Sequence, residues 1–335
     1  MNSLNLLRLL ADGDFHSGDI LGQRLGVSRA AIWKGVRAIR NAGLEVHSRR
    51  GRGYCLQTSL ELLDRELLLG QLSESSRKCL AGLELLISVD STNTHCMKRI
   101  QAGEADLDAG EVYVCVAEQQ TAGRGRRGRQ WISPFGHNLY LSMIRAFDSG
   151  AAGLEGLSLV TGIALVRALR ECGVSELAVK WPNDVLLRQA KIAGILLEMS
   201  GDVSGRCQVV FGIGLNIDHS FSGTRMQAVD QPWADLASCM PVANLRNRVG
   251  GRIIDHLIQV LGQFEEQGFR AFRDEWQSLH AYQDQPVEIS NAAGITRGLA
   301  RGVTDKGAFQ VETEGGSQIF NGGEVSIRMK VGHDS

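Results

Sequence analysis

The run Gly123-Arg124-Gly125-Arg126-Arg127-Gly128-Arg129 sets four guanidinium groups on a turn that contains three glycines. Glycine lets backbone N–H groups approach an anion closely, and the arginines surround the same spot with fixed positive charge. Apolar runs flank the loop, from Val112 to Ala117 and from Leu139 to Ile144, so it hangs between two expected strands. The chemistry that suits such a loop is a grip on a nucleotide's phosphates. The spacing formally matches Gly-x-Gly-x-x-Gly, but a dinucleotide fingerprint must open a helix. Here Gln130-Trp131-Ile132-Ser133-Pro134 leads into another strand, which excludes that fold. Kinase and Walker A signatures are missing from the sequence. An arginine–glycine RNA-binding tail would lack apolar strands on both sides.

Two further groups complete a chemistry. Lys180-Trp181-Pro182-Asn183-Asp184 ends one short apolar strand and turns into Val185-Leu186-Leu187. Asp90-Ser91-Thr92-Asn93 lies where a strand ends and a helix begins. Its residues serve either as an ordinary N-cap or as hydroxyl and amide groups aimed into a pocket above the sheet. Together these parts suit activation of a carboxylate by adenylation. Attack of a carboxylate on the α-phosphate of ATP brings two anions together, so it needs in-line positioning and cationic screening more than a protein nucleophile. Mg²⁺ would accompany the triphosphate, with Asn183 and Asp184 able to offer oxygen ligands. No protein metal cluster is expected.

The 335-residue chain has room for two or three domains. Its formal net charge of −1 hides a division. Residues 1–60 carry nine Lys/Arg against four Asp/Glu, a net of +5, which leaves −6 for the remainder. An anionic partner is therefore expected for the first segment only. The seven cysteines include no Cys-x-x-Cys pair and the eight histidines no His-x-x-x-His spacing, so neither a disulfide framework nor a zinc site is suggested. Met1 to Ala11 has no basic region before its apolar run, and the stretch Leu154 to Leu169 contains Glu155 and Arg167. The expectation is a cytoplasmic protein with no membrane partner.

The elements that must position these groups fall into three parts. In the first sixty residues, Leu4, Leu7 and Leu10 repeat at helical spacing, Ser17 caps a second helix, and Gly26 turns the chain. Ser28 caps a third helix over 28–41, whose Ile32, Val36 and Ile39 face a core while Arg29, Trp33, Lys34, Arg37 and Arg40 project elsewhere. A hairpin tipped by Arg49-Arg50-Gly51-Arg52-Gly53 follows. This pattern predicts a winged helix-turn-helix that reads DNA through Ser28, Arg29, Trp33, Lys34, Arg37, Arg50 and Arg52. Thr58 to Cys79 reads as a linking helix. Beyond it, strands are expected at 83–89, 112–118, 138–145, 177–181, 185–188, 192–199 and 207–215, with helices at 93–102, 154–171 and 245–267, in a mixed sheet. Short strands at Val287 to Ile289, Thr296 to Arg301, Phe309 to Thr313, Gln318 to Phe320 and Val325 to Arg328 suit a small SH3-like barrel.

The motifs resemble those of the bifunctional biotin–protein ligases that also repress the biotin operon. The matching stretches are Ser28 to Ile32, Asp90 to Asn93, Gly123 to Arg129 with Trp131, Ser133 to Gly136, Lys180 to Asp184, Lys191 to Leu196, Gly212 to Asn216 and Gly322-Gly323-Glu324. The resemblance implies an α+β protein with a winged helix-turn-helix at 1–62, a mixed-sheet domain like class II synthetases at 63–270 and an SH3-like module at 271–335. It implies ATP-dependent formation of biotinyl-5′-adenylate, then transfer of biotin to a lysine on the biotin carboxyl carrier domain of acetyl-CoA carboxylase. Repression by a homodimer on palindromic operator DNA is implied as well. Residue by residue, Ser91, Thr92, Asn93 and Gln120 would contact biotin, with Arg124, Gly125 and Arg126 closing over it. Lys180 would meet the carboxylate and the α-phosphate, with Arg126 assisting. Trp131, Asn183, Asn216, Trp233 and Arg328 would face the nucleotide, although Arg328 reads equally as a solvated edge residue. Thr121 departs from the glutamine common before the loop. The alternatives are a non-catalytic biotin-sensing repressor and a lipoate–protein ligase.

Overall fold

The computed structural model describes residues 3–57, 60–148, 150–202, 205–218, 232–241, 245–291, 294–322 and 325–329. The first module contains α1 (Ser3–Leu10), α2 (Gly18–Leu25), α3 (Arg29–Asn41), β1 (Val46–Arg49) and β2 (Gly53–Leu56). Ser17 caps α2 by accepting from Ile20 N, and Ser28 caps α3 by accepting from Ala31 N at 3.2 Å. Between them Gly26 takes a left-handed φ of 64°. Ile32, Val36 and Ile39 are buried with Leu6, Leu7, Leu10 and Leu21. The wing pairs β1 with β2 antiparallel, and an additional bridge joins His16 to Tyr54. That third chain explains Gly53, where a Cβ would lie 1.9 Å from His16 O.

One expectation fails in the next segment. The leucines between 58 and 79 form two short helices, α4 (Arg65–Leu69) and α5 (Glu74–Cys79), rather than one. Asp64 accepts from Glu66 N and Leu67 N, and Ser73 accepts from Ser76 N. Each start signal opens its own helix. The leucines also serve different cores, with Leu60 and Leu62 against the first module and Leu63, Leu68 and Leu72 in the central one. A buried pair tightens this passage: Arg246 Nη1 meets Glu118 Oε2 at 2.8 Å and donates to Glu61 O at 2.7 Å, while Leu63 N donates to Glu118 Oε1 at 2.6 Å.

The central part runs β3 (Leu80–Leu86), α6 (Thr92–Gln101), β4 (Val112–Ala117), β5 (Leu139–Phe147), α7 (Leu157–Glu171), β6 (Leu177–Lys180), β7 (Asp184–Leu187), β8 (Ala190–Gly201), β9 (Cys207–Leu215), α8 (Leu245–Gln267) and α9 (Arg273–Leu279). β3 begins directly from α5, three residues earlier than the predicted strand. α7 starts at Leu157 rather than 154, because Gly156 turns the chain with a φ of 81°. The seven strands are ordered β3-β4-β5-β9-β8-β7-β6. Only the β3–β4 pairing is parallel, so the sheet is mixed as predicted. Its two faces separate by alternation. Val112, Val114 and Val116 join the α7–α8 core, whereas Cys115 packs with Cys96 of α6 on the other face.

The last module is an antiparallel sheet of β10 (Pro286–Asn291), β11 (Gly294–Val303), β12 (Phe309–Thr313), β13 (Gly316–Phe320) and β14 (Ser326–Met329), ordered β13-β12-β11-β10-β14. Its inner residues Val287, Ile289, Phe309 and Ile327 belong to the same apolar cluster as α7 and α8. No helix among the described residues is long and apolar enough to cross a membrane.

Candidate active site

Two connected chambers lie over the sheet where β8 and β9 meet the N-terminus of α6. The inner one, about 50 Å³, is lined by Ser91, Thr92, Asn93, Gln120, Arg124, Gly125, Arg126 and glycines of β8 and β9. All but one of the residues the sequence assigned to biotin therefore converge here. Gln120 Oε1 accepts from Thr92 N at 2.9 Å, and Gln120 Nε2 donates to Ser133 Oγ at 3.1 Å. Beneath them Ser142 Oγ of β5 donates to Asn93 Oδ1 at 2.6 Å. Ser91 occupies the N-cap position of α6 without a side-chain cap bond, so its hydroxyl is not committed to the helix. The floor must be glycine: a Cβ on Gly212 would fall 2.1 Å from Asn93 Oδ1, and one on Gly214 would fall 2.4 Å from Trp131 Cε2.

The arginine loop closes on itself. Gly125 N donates to Arg129 O at 2.7 Å, Trp131 N donates to Gly123 O at 2.9 Å, and Arg127 takes a positive φ of 59°. Arg124 Nη2 reaches across the inner chamber to Glu198 Oε2 at 2.5 Å. Arg126 Nη1 donates to Asn183 Oδ1 at 3.0 Å.

Lys180 is the residue that stands apart. It lines the outer chamber of about 640 Å³ together with Arg126, Arg129, Trp131, Asn183, Asp184, Lys191, Asn216, Trp233, Tyr282 and Arg328. The five residues assigned to the nucleotide are all on this wall, and Arg328 is exposed on β14 facing it. Gly125, Arg126, Trp131, Asn183 and Lys191 border both chambers. Burial is the main force holding the Lys180 ammonium below its ordinary pKa; Asp184 opposes it, and Lys191, Arg328 and Arg129 reinforce it. The indole Nε1–H of Trp131 is buried without an acceptor, a donor available to a ligand.

The offered metal oxygens are already engaged. Asp184 Oδ1 is paired with Lys191 Nζ at 2.7 Å, and the Asn183 amide is held by Arg126 and by Ile195 O. Among the described residues no group of three His, Cys, Asp or Glu could hold a metal ion, and Asp184 is the only carboxylate on the outer wall. Gly323, Glu324 and 219–231 of the expected adenine-covering stretch lie outside the described residues.

Sequence reasoning gave no site role to Lys191, Glu198, Ser142 or Tyr282. Lys191 carried a visible signal, the lysine that opens the matched stretch Lys191 to Leu196. Tyr282 carried none, because its partner Lys180 on β6 lies 102 positions earlier in the chain.

On the first module Trp33 is 49% exposed, and the Arg37 guanidinium sits 4.9 Å over its ring. Lys34, Arg50 and Arg52 are exposed, with Arg52 stacked 4.7 Å over Phe15. Arg29 pairs with Asp19 at 3.3 Å. Ser28 is committed to its cap. Arg40 turns back to donate to Val46 O at 2.6 Å, so it braces the wing.

Three family models match in chain order: an HTH domain over residues 2–55, the biotin/lipoate A/B protein ligase family over 85–216, and a biotin protein ligase C-terminal domain over 284–328. The chain is 39% identical to the bifunctional ligase/repressor BirA of Salmonella typhimurium over 325 residues, covering 97% of each chain. It is 32% identical to the biotin–[acetyl-CoA-carboxylase] ligase of Paracoccus denitrificans, across 72% of this chain and 98% of that one. Among solved structures it is similar to the biotin protein ligase from Aquifex aeolicus in complex with biotin and ATP. That match has a TM-score of 0.61 and 27% identity, over 75% of this chain and all of the other.

Proposed function

Because the chain belongs to the biotin–protein ligase family, we propose that its two chambers hold the two substrates of the first, activating step of a biotinylation reaction. The protein is an ATP-dependent biotin–protein ligase and a biotin-responsive repressor of biotin-synthesis genes. Biotin's carboxylate oxygen attacks the α-phosphorus of ATP, the bond to the β-phosphate breaks, and diphosphate leaves. The amine of an acceptor lysine on the carboxyl carrier domain of acetyl-CoA carboxylase then attacks the acyl carbon, and AMP leaves.

The observation that carries this reading is the shared wall. Gly125, Arg126, Trp131, Asn183 and Lys191 border both a hydrogen-bonding chamber and a cationic one. A vitamin ring in the first would present its acid group at the junction. Ser91, Thr92, Asn93 and Gln120 would bind the ring head, and Arg124 and Gly125 would cover it. Lys180 and Arg126 would screen the carboxylate and α-phosphate as they approach. Trp131, Asn183, Asn216, Trp233 and Arg328 would hold the nucleotide. Mg²⁺ would accompany ATP on its phosphate oxygens, because Asp184 is engaged by Lys191 and the Asn183 amide by Arg126 and Ile195 O.

We place the first division at 62, which the apolar cluster centred on the first module supports, and the second at 270, between α8 and α9. Winged helices that read palindromic DNA act as two-fold pairs, so the repressor form is a homodimer. Operator DNA and carrier protein are both cytoplasmic partners. Biotin-dependent ATP–pyrophosphate exchange tests the reading. Binding of biotin without exchange would make the protein a non-catalytic sensor, and preference for lipoate in competition would make it a lipoate ligase.

A further inference from the structure

Behind Lys180 stands a side chain with no role so far. Tyr282 is 9% exposed and comes from the segment that follows α9. That segment runs beside β6: Ala281 N donates to Val179 O at 2.9 Å, and Val179 bridges His280 in parallel. The pairing brings the Tyr282 ring under the neighbouring Lys180, whose Nζ lies 5.7 Å from the ring centroid. The ring cannot easily swing away. His280 meets it edge-on with centroids 6.1 Å apart, and His280 is itself stacked on Trp276 at 4.7 Å and packed against Phe309.

From this geometry we infer that Tyr282 is a positioning residue for the adenylation step, its ring face holding the Lys180 ammonium charged and aimed into the outer chamber. The inference rests on the role given to Lys180 above. A lysine needed as a cation has here been moved into a crowded positive site. Lys191, Arg328 and Arg129 all press its proton off, burial does so more strongly, and Asp184 opposes them. Asp184 is itself neutralised by Lys191 at 2.7 Å. The ring's negative face supplies compensation without adding an anion that would repel phosphates, and such contacts strengthen when desolvated.

The test is the pH dependence of biotin-dependent ATP–pyrophosphate exchange in the wild type, Y282F and Y282L. The basic limb, where Lys180 loses its proton, should move about one pH unit lower in Y282L, equivalent to a tenfold loss at alkaline pH. Y282F keeps the ring and should keep the wild-type limb. An unmoved limb in Y282L, or Y282F displaced as far as Y282L, would overturn the inference. Competitive acylation of Lys180 across pH, read by mass spectrometry, measures the same shift without turnover. Absent exchange in wild type would thus defeat the ligase reading, while the labelling still decides Tyr282. Should Y282L fail to fold, pentafluorophenylalanine at 282 keeps the shape, reverses the ring's face potential and should lower the limb in the same direction.

Discussion

Arg124, which lines the inner chamber, donates to Glu198, Nη2 to Oε2 at 2.5 Å, and the same oxygen accepts from the chamber's Asn93 Nδ2 at 2.9 Å. The pair ties the arginine loop to β8 over a space of about 50 Å³, room for a few waters at most. The pair is therefore expected to open when a bicyclic ring enters. Arg124 and Glu198 are 43% and 25% exposed, so the pair contributes about 1 kcal/mol or less. Glu198→Gln weakens the latch yet keeps an acceptor for Asn93. Biotin association should therefore accelerate up to about fivefold by stopped-flow fluorescence; an unchanged or slower rate would show that the pair does not gate entry.

The same chamber depends on a missing side chain. Ala at 212 would put a methyl 2.1 Å from Asn93 Oδ1, and that oxygen already accepts from Ser142. Asn93 lies on the first turn of α6 and cannot retreat without moving Thr92, whose amide is held by Gln120. Overpacking a well-filled site costs about 1–3 kcal/mol, roughly ten- to a hundredfold in affinity. Calorimetry on Gly212→Ala should show biotin affinity reduced by about that factor, and wild-type affinity would refute the steric account.

These relationships mark where the sequence is legible. Strand and helix periods located nearly every element of the sheet, because β4, β5 and β9 are buried and their apolar runs are long. Capping chemistry located α2 and α3, since Ser17, Gly26 and Ser28 act locally. The helix expected across Thr58 to Cys79 went wrong because leucine spacing is blind to which core each leucine enters. The same signals that succeeded elsewhere, Asp64 and Ser73 as caps, were present there and outranked by period. Site residues next to glycine or arginine punctuation were readable. Glu198 and Tyr282 were not, because each gains its meaning from a partner more than seventy residues away, Arg124 and Lys180 respectively.

His280 gives the protein a pH dependence of known sign. Burial pushes its pKa down to about 4, opposed in part by Gln283, against about 6.5 in an unfolded chain. The folded state thus binds this proton later than the unfolded state as pH falls. Its contribution is complete above pH 6.5 and is lost between 6.5 and 4, by about 3 kcal/mol in all. Urea midpoints of wild type should fall across that window more steeply than those of His280→Leu. Parallel curves would mean that the histidine is not kept neutral.

Arg126 faces both chambers and donates to Asn183 Oδ1 at 3.0 Å, so it stands at the junction where an acyl phosphate would form. Replacing it by glycine removes a charge-assisted donor, worth about 1.5–3 kcal/mol, and adds backbone freedom to a loop whose order excludes water. Retention of the adenylate should suffer more than its synthesis, because Lys180 and the remaining arginines still screen the attack. Arg126→Gly should release labelled biotinyl-adenylate about ten to a hundred times faster than wild type in a chase with unlabelled biotin. Equal release rates would remove Arg126 from the wall that confines the intermediate and leave Lys180 as its principal cation.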